Sequence, residues 1–313
     1  MDVVARLSEF DPHEHLPQDA FFIIFYGLRR CGKTTMLRYL LYSLEPFLVD
    51  HELFLFSSTA EVSPEEYNFV PPRAKFHNIS ELENDLRRIL GKQKLAIKDY
   101  HEGKGEKPSP ILMILDDVVS ENIVRHSPSL NTLAVAGRHM NISVVLLSQV
   151  VTGSGSVPPI IRTQCDVIFV VANPRSEVER KLLIEQYLSP TNAYNIKSKA
   201  QDVLEAATSE QFRALVILTT DSSARNFEDY LLLYGPVPPE IPENFRLGTD
   251  EQWDMSATPV VRKHTKPIDI KKTDSKTVLN PFRHTPDLPK QGNEYLRGTS
   301  DSLNKLPLGR RRK

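Results

Sequence analysis

One stretch near the amino terminus constrains the fold more than any other part of the chain. An apolar run over residues 21–26 has the length of a buried strand, and it leads directly into the pattern Gly-x-x-x-x-Gly-Lys-Thr at residues 27–34. Apolar residues then recur at helical spacing, at Met36, Leu37, Leu40, Leu41 and Leu44. A strand, a glycine loop and a helix start in this order are the context that a phosphate-binding loop requires.

The residue types of this loop, a Walker A pattern, predict its ligand. Its glycines let backbone N–H groups point at phosphate oxygens, and the dipole at the helix N-terminus favours an anion there. Lys33 is expected to reach the β- and γ-phosphates, and the Thr34 hydroxyl to hold Mg²⁺. We therefore predict ATP and Mg²⁺ as cofactors, bound along Gly27, Leu28, Arg29, Arg30, Cys31, Gly32, Lys33, Thr34 and Thr35. A tight turn without nucleotide is the alternative.

A second apolar run, Ile111-Leu-Met-Ile-Leu, ends in the acids Asp116 and Asp117, which is typical of a Walker B strand. Such a run predicts a central parallel strand with carboxylates at its carboxyl end, the edge where open α/β sheets bind ligands. Asp116 is predicted to accept Mg²⁺, and Asp117 to orient or deprotonate the attacking water. An acidic turn after a strand is the alternative interpretation.

Further buried strands are predicted at residues 52–58, 142–149, 167–171 and 215–220, and helices at 80–98, 130–137, 176–188 and 198–208. The strand over 142–149 ends in Gln149, whose amide is predicted to sense the γ-phosphate; hydrogen bonding at the strand end is the alternative. The alternation predicts an α/β fold with a mostly parallel central sheet flanked by helices.

Composition divides the chain into a lead-in over residues 1–20, a P-loop domain over 21–235 and a Pro- and Lys-rich extension over 236–313 that is predicted to be largely disordered. Residues 250–313 hold 14 Lys and Arg against 8 Asp and Glu, whereas residues 1–249 hold 25 against 32. A basic tail on an acidic body predicts attraction to polyanions or acidic partners. A tail that is merely disordered is an equally open interpretation.

Two cysteines, Cys31 and Cys165, are too few for a disulfide framework and lack metal-ligand spacing. The acidic amino terminus is unlike a signal peptide, and no apolar run reaches membrane-spanning length. These features predict an intracellular protein without a membrane span.

Three segments in order, residues 27–34, 111–117 and 136–149, resemble the FtsK–HerA superfamily of DNA-pumping ATPases. The paired aspartates and the Arg138-His-x-x-Ile-Ser segment before a strand ending in Gln149 resemble the genome-packaging ATPases of poxviruses and other large double-stranded DNA viruses. The resemblance covers roughly residues 20–235. It implies a RecA-like core that works as a homo-oligomeric ring, with a hexamer expected, around duplex DNA.

The same resemblance implies a function and its partners. It implies an ATP-driven translocase that packages a viral genome, with double-stranded DNA and capsid or portal proteins as partners, in the host cytoplasm or viral factory, or associated with the virion. Arg138 matches the position from which an arginine reaches the nucleotide of the neighbouring subunit, with Arg162 as the rival and a helix C-terminal role as the alternative. Many relatives have Glu where Asp117 stands, so a catalytic aspartate here implies a water relay.

Two other functions stay open on the sequence. One is a cellular helicase or DNA-transfer ATPase of the same superfamily, against which the short chain argues. The other is a nucleotide-dependent switch or scaffold with slow turnover, in which the basic tail docks a partner.

Overall fold

The computed structural model describes residues 4–118, 126–150, 156–188, 194–219, 227–238 and 240–254. The strands in these residues are β1 (Phe22–Tyr26), β2 (Glu52–Ser57), β3 (Lys75–Phe76), β4 (Ile111–Asp116), β5 (Ile142–Ser148), β6 (Val167–Val170), β7 (Ala214–Leu218) and β8 (Leu231–Tyr234). Within the described residues they form one sheet in the order β3-β2-β4-β5-β1-β6-β7-β8.

Parallel pairing dominates this sheet. Strand β1 pairs in parallel with β5 on one side and β6 on the other, while β4 pairs in parallel with β5 and β2, and β2 with β3. Strands β7 and β8 complete the sheet in antiparallel pairing. The predicted mostly parallel α/β architecture is confirmed, and each predicted strand is present. The prediction from sequence missed β3, which has only two residues, and β8, which follows a short helix.

The described α-helices are α1 (Pro12–His15), α2 (Lys33–Ser43), α3 (Glu45–Leu48), α4 (Leu82–His101), α5 (Pro128–Ala136), α6 (Pro159–Arg162), α7 (Glu177–Leu183), α8 (Tyr194–Ala207), α9 (Phe227–Tyr230) and α10 (Asp250–Trp253). A π-helical turn at Ile184–Leu188 continues α7, and short 3-10 turns include Pro64–Tyr67 and Arg138–Met140. None of the described helices is long and apolar enough to cross a membrane.

Both faces of the sheet are covered, which explains why its strands are apolar without alternation. On one face, Ile23 and Phe25 of β1 belong to the core that includes Leu37 and Leu40 of α2. On the other face, alternate β1 residues join a core with α4, α5 and α8. All five β1 residues are therefore buried. Burial of one such side chain stabilises the fold by about 1.5–3 kcal/mol, so β1 is firmly held beneath the loop that follows it.

The amino-terminal residues pack onto the sheet at the β8 edge. Glu9 forms a parallel bridge with Leu233 of β8, and the Phe10 ring meets the ring of Phe169 edge-on at 5.2 Å. The predicted lead-in thus contains ordered contacts, including helix α1, and residues 8–10 cover part of an otherwise open strand edge.

The described residues all lie in one compact unit, Met1–Thr258. Val237, Phe245 and Leu247 are buried and belong to the α2-side core, although the sequence-based division assigns them to the extension. The domain boundary at residue 235 stays a prediction. The disorder predicted for the extension concerns mainly residues 255–313, which lie outside the described residues.

Candidate active site

The glycine loop turns from the carboxyl end of β1 into α2 as the pattern predicts. Gly32 is the N-cap residue of α2 and has φ +95°, in the left-handed region that favours glycine. Gly27 is required for a different reason, because a Cβ at that position would lie 2.5 Å from the Cys31 sulfur. The Cys31 side chain therefore packs within the loop, where burial raises its pKa.

Lys33 lies folded over the loop. Its ammonium donates hydrogen bonds to the carbonyl oxygens of Gly27 at 2.7 Å and Leu28 at 3.0 Å. A fixed cation therefore lies beside the first backbone N–H groups of an eleven-residue helix. Cation, backbone donors and helix dipole together make this position suited to an anion.

Asp116 lies at the same edge of the sheet, at the end of β4. Its Oδ2 accepts hydrogen bonds from the hydroxyls of Ser57 at 3.2 Å and Thr59 at 3.4 Å. Burial raises the pKa of Asp116, whereas the neighbouring Tyr67 and Ser57 hydroxyls and the Lys33 ammonium act in the opposite direction. A carboxylate held in such a place is stabilised by a nearby cation.

Gln149 and Asp117 are joined directly. Strand β5 lies between β1 and β4, so the amide that follows it is placed between the glycine loop and the paired acids. The Gln149 amide nitrogen donates to Asp117 Oδ2, and its Oε1 accepts from Arg29 Nε at 3.1 Å. The Gln149 amide thus links the glycine loop to the acidic end of β4. Its contacts with Arg29 and Asp117 hold the side chain in one orientation.

These groups surround one cavity of about 620 Å³. From the loop and α2 it is lined by Arg29, Arg30, Gly32, Lys33, Thr34, Thr35 and Arg38, and from the sheet edge by Asp116, Asp117 and Gln149. More distant segments contribute Thr59, Ser63, Glu66, Gln211 and Phe212. The volume lies within the range of small-molecule sites. Of the predicted loop residues, Gly27, Leu28 and Cys31 are outside this lining. The other loop residues, the paired acids and the terminal amide are brought together.

The residues at this cavity fit a magnesium ion. Thr34 and Asp116 both line the cavity and offer a hydroxyl and a carboxylate oxygen, the ligand type that Mg²⁺ prefers. The buried Tyr67 hydroxyl lies beside both of them. Mg²⁺ sites commonly use only one or two carboxylates and take further ligands from substrate phosphates, so one partly buried aspartate and one hydroxyl would suffice here.

Sequence reasoning missed several residues of the site. Tyr67, Ser57 and Thr59 surround Asp116, and Phe212 packs against Gly32. The polar residues at the end of β2 offered a weak signal, because β2 is parallel to β4 and Ser57 is the register partner of Asp116. Tyr67 and Phe212 lie in turns, and no local pattern marks them.

Arg138 lies away from the cavity of its own chain. It begins the 3-10 turn that precedes β5, and its guanidinium pairs at 2.5 Å with Asp166, a buried residue just before β6. Asp166 also accepts a hydrogen bond from the Phe22 backbone at 2.7 Å. These contacts are at the amino ends of the strands, and the five residues of β1 span about 16 Å to the glycine loop. Arg138 is therefore placed at the edge opposite the cavity.

Arg162, the predicted rival, is also outside the described lining of the cavity. Its Nη1 donates to Gln186 Oε1 at 2.6 Å, which ties α6 to the π-helical turn. In the part of a single chain that the structure describes, neither Arg138 nor Arg162 lines the cavity with the loop, the paired acids and the amide.

The sheet order and the cavity together define a P-loop NTPase with a RecA-like core, in which a polar strand end lies between the phosphate loop and the acidic strand. The chain also matches the family model described as poxvirus A32 protein over residues 7–225. It therefore belongs to the poxvirus A32 protein family, and the predicted resemblance is confirmed.

Solved structures give more distant likenesses. The genome packaging NTPase B204 from Sulfolobus turreted icosahedral virus 2, solved with AMPPCP, is 15% identical, with 70% of this chain and 99% of that chain covered and a TM-score of 0.45. The pCW3 conjugation coupling protein TcpA is 12% identical, with 73% and 68% covered and a TM-score of 0.49. EssC from Geobacillus thermodenitrificans is 15% identical, with 70% and 40% covered and a TM-score of 0.46. None of the curated proteins matches this chain.

Proposed function

We propose that this protein is an ATP-driven motor that moves double-stranded DNA into a viral capsid. One observation carries the proposal: Lys33, Asp116, Asp117 and Gln149 converge on a single cavity although they come from three separate strand ends. Membership of the poxvirus A32 protein family supports the viral context. The similar protein B204 is a genome packaging NTPase, and we extend this activity to the present chain.

The chemistry follows from the positions of these groups. The Lys33 ammonium and the backbone N–H groups at the start of α2 bind the β- and γ-phosphates. Thr34 and Asp116 would hold Mg²⁺, which would neutralise charge on the phosphate oxygens. Through a relaying water, Asp117 accepts the proton of the water that attacks the γ-phosphorus as the bond to the bridging oxygen of ADP breaks. Gln149 donates a hydrogen bond to Asp117 Oδ2, which holds this carboxylate in place at the cavity.

Assembly completes the proposed motor. We propose a homo-oligomeric ring, of six subunits, in which Arg138 of one subunit reaches the nucleotide of the next. Such an arginine contributes roughly 10³–10⁵ in rate in other phosphoryl-transfer systems. The ring holds duplex DNA through contacts to the phosphate backbone that do not depend on sequence. The DNA passes into the capsid, and a capsid or portal protein is the proposed docking partner. The proposed setting is the host cytoplasm or viral factory.

The test is the rate of ATP hydrolysis with and without long duplex DNA. Lys33→Ala removes the cation that faces the phosphates, so hydrolysis should fall to background in both conditions. Lys92→Ala is the matched control, because Lys92 is an exposed lysine on α4 whose one ion contact among the described residues is a long one, to Glu52 at 3.8 Å. It should leave the DNA-stimulated rate unchanged.

Three results would contradict the proposed function or favour a different one. DNA-dependent hydrolysis that persists in Lys33→Ala contradicts the nucleotide site itself. Slow hydrolysis by the wild type that duplex DNA does not change favours a nucleotide-dependent switch or scaffold. Separation of duplex strands by the wild type favours a helicase, since a packaging motor moves along duplex DNA without unwinding it.

A further inference from the structure

The lining of the nucleotide cavity is polar with one exception. Among the described residues that line it, Phe212 carries the one large apolar side chain; the others are charged, hydroxyl, amide or glycine residues. A nucleoside triphosphate has a charged end and a flat, largely apolar base. Among the described lining residues, the Phe212 ring is therefore the one surface that the base can cover without removing water from a charged or polar side chain.

Phe212 lies against the phosphate-binding loop. A Cβ on Gly32 would lie 2.8 Å from both Cδ1 and Cε1 of the Phe212 ring, so the ring packs directly over this glycine. Gly32 precedes Lys33 and caps α2, the helix whose first N–H groups face the cavity. The ring thus borders the phosphate-binding loop, while part of it packs against the α2-side core.

The backbone that carries the ring is also held in a fixed position. Phe212 has φ +61°, a conformation that is rare for a bulky residue and persists only where neighbouring contacts enforce it. Val237 N donates to the Phe212 carbonyl at 2.9 Å. Gly235 approaches the same carbonyl so closely that a Cβ on it would lie 2.3 Å away. The backbone that presents the ring to the cavity is therefore arranged before any ligand arrives, which lowers the entropy lost on binding.

We infer that Phe212 is the base-binding residue of this site, on which the base of a nucleoside triphosphate stacks while its phosphates occupy the glycine loop. The inference rests on the proposed function, since it takes the loop to bind a triphosphate. Stacking on an aromatic ring is tolerant of base identity because every base has a π-face. Phe212 accordingly contributes affinity for the nucleoside and none for the phosphates.

The experiment separates the two parts of the ligand. Binding of ATPγS and of inorganic tripolyphosphate, each with Mg²⁺, is measured by calorimetry on the full chain. Phe212→Leu retains apolar volume against Gly32 but removes the π-face. It should weaken ATPγS binding by about 5- to 150-fold and leave tripolyphosphate affinity within about twofold. Phe212→Tyr restores an aromatic face and should recover most of the ATPγS affinity.

Two variants serve as controls. Val178→Ala truncates an exposed apolar side chain on α7, outside the described lining of the cavity, and should alter neither affinity. Lys33→Ala should weaken both probes, because it removes the contact to phosphate. An equal loss of both probes in Phe212→Leu, or no loss of either, overturns the base-stacking role.

The outcomes also separate this inference from the proposed function. If wild-type protein binds neither probe, the nucleotide site itself is refuted. If it binds tripolyphosphate as tightly as ATPγS, the triphosphate site stands but the base contributes nothing, and the role of Phe212 is refuted alone.

Discussion

At the scale of single residues, Asp117 combines an unusual backbone with a defined partner. Its φ of +55° is uncommon for a residue other than glycine, although Asp and Asn adopt it more readily than most. This conformation turns the chain at the end of β4, so that Asp116 and Asp117 both line the cavity. Gln149 then engages one oxygen of Asp117. The geometry favours a fixed general base rather than a solvated surface acid.

Asp117→Asn tests that role with little change of shape. Asn tolerates the same backbone conformation, but its amide cannot accept the proton of the attacking water. We expect kcat for DNA-stimulated ATP hydrolysis to fall about 10²- to 10⁴-fold, with little change in KM for ATP because the phosphate contacts are intact. Steady-state kinetics measure both constants.

The control for this substitution is Asp50→Asn, at an exposed position outside the described lining of the cavity. It should leave kcat and KM unchanged. Retention of kcat within about twofold in Asp117→Asn would show that another group takes the proton.

The residues of this site differ in how far the sequence predicted them. The positions of Lys33, Thr34 and Asp116 at the cavity were predictable because each follows an apolar run at a short, fixed spacing. Tyr67 and Phe212 were not, because a tyrosine or phenylalanine in a turn is compatible with many surroundings. They reach the site only through the packing of distant turns against the loop and β4.

At the scale of elements, a side chain of helix α10 forms hydrogen bonds with the β2 backbone where β3 does not pair with it. Strand β3 pairs with β2 only at Leu55 and Phe56. At Leu53 the side chain of Gln252 takes over: its Oε1 accepts from Leu53 N at 2.9 Å and its Nε2 donates to Leu53 O at 2.8 Å. The edge of β2 is thereby satisfied by a residue 199 positions away.

Gln252→Ala should therefore destabilise the domain although Gln252 is outside the described lining of the cavity. It removes two hydrogen bonds to strand backbone, at a cost of about 1–3 kcal/mol. In a unit of this size that loss lowers Tm by about 2–12 °C, which calorimetry measures. Gln201→Ala on the exposed surface of α8 is the control, since Gln201 bonds only the exposed Glu205 in the described contacts. An equal Tm for both variants would contradict the edge-pairing role.

At the scale of the whole molecule, the two edges of the sheet carry different groups. The carboxyl edge bears the cavity, and the amino edge bears Arg138 with its partner Asp166. A role for Arg138 in hydrolysis then requires the amino edge of one subunit to face the carboxyl edge of the next. Such head-to-tail contacts are heterologous, and they close into rings when the rotation permits.

Mixing of two inactive variants tests this arrangement. Lys33→Ala subunits supply an intact Arg138, and Arg138→Ala subunits supply an intact Lys33. At equal amounts, about one quarter of random head-to-tail interfaces combine both intact groups. We expect DNA-stimulated ATPase activity to return on mixing, measured against the ratio of the two variants.

The control mixture pairs Arg138→Ala subunits with subunits that carry both substitutions, and it should stay inactive because no interface has both groups. Absence of recovery at every ratio of the two single variants would contradict an arginine that acts between subunits and would leave Arg138 as the structural partner of Asp166.

The sequence by itself determined the parts of this protein that depend on neighbours along the chain. A buried strand, a glycine loop and a helix start follow from apolar run length and glycine spacing, because those backbone conformations are decided locally. Only the tertiary structure decided which strand ends meet, that Phe212 covers Gly32, and that Arg138 pairs with Asp166 at the far edge. These arrangements depend on contacts between residues that are far apart in sequence. The free energies of such contacts depend on packing and burial, and they produce no periodic pattern that the sequence alone could show.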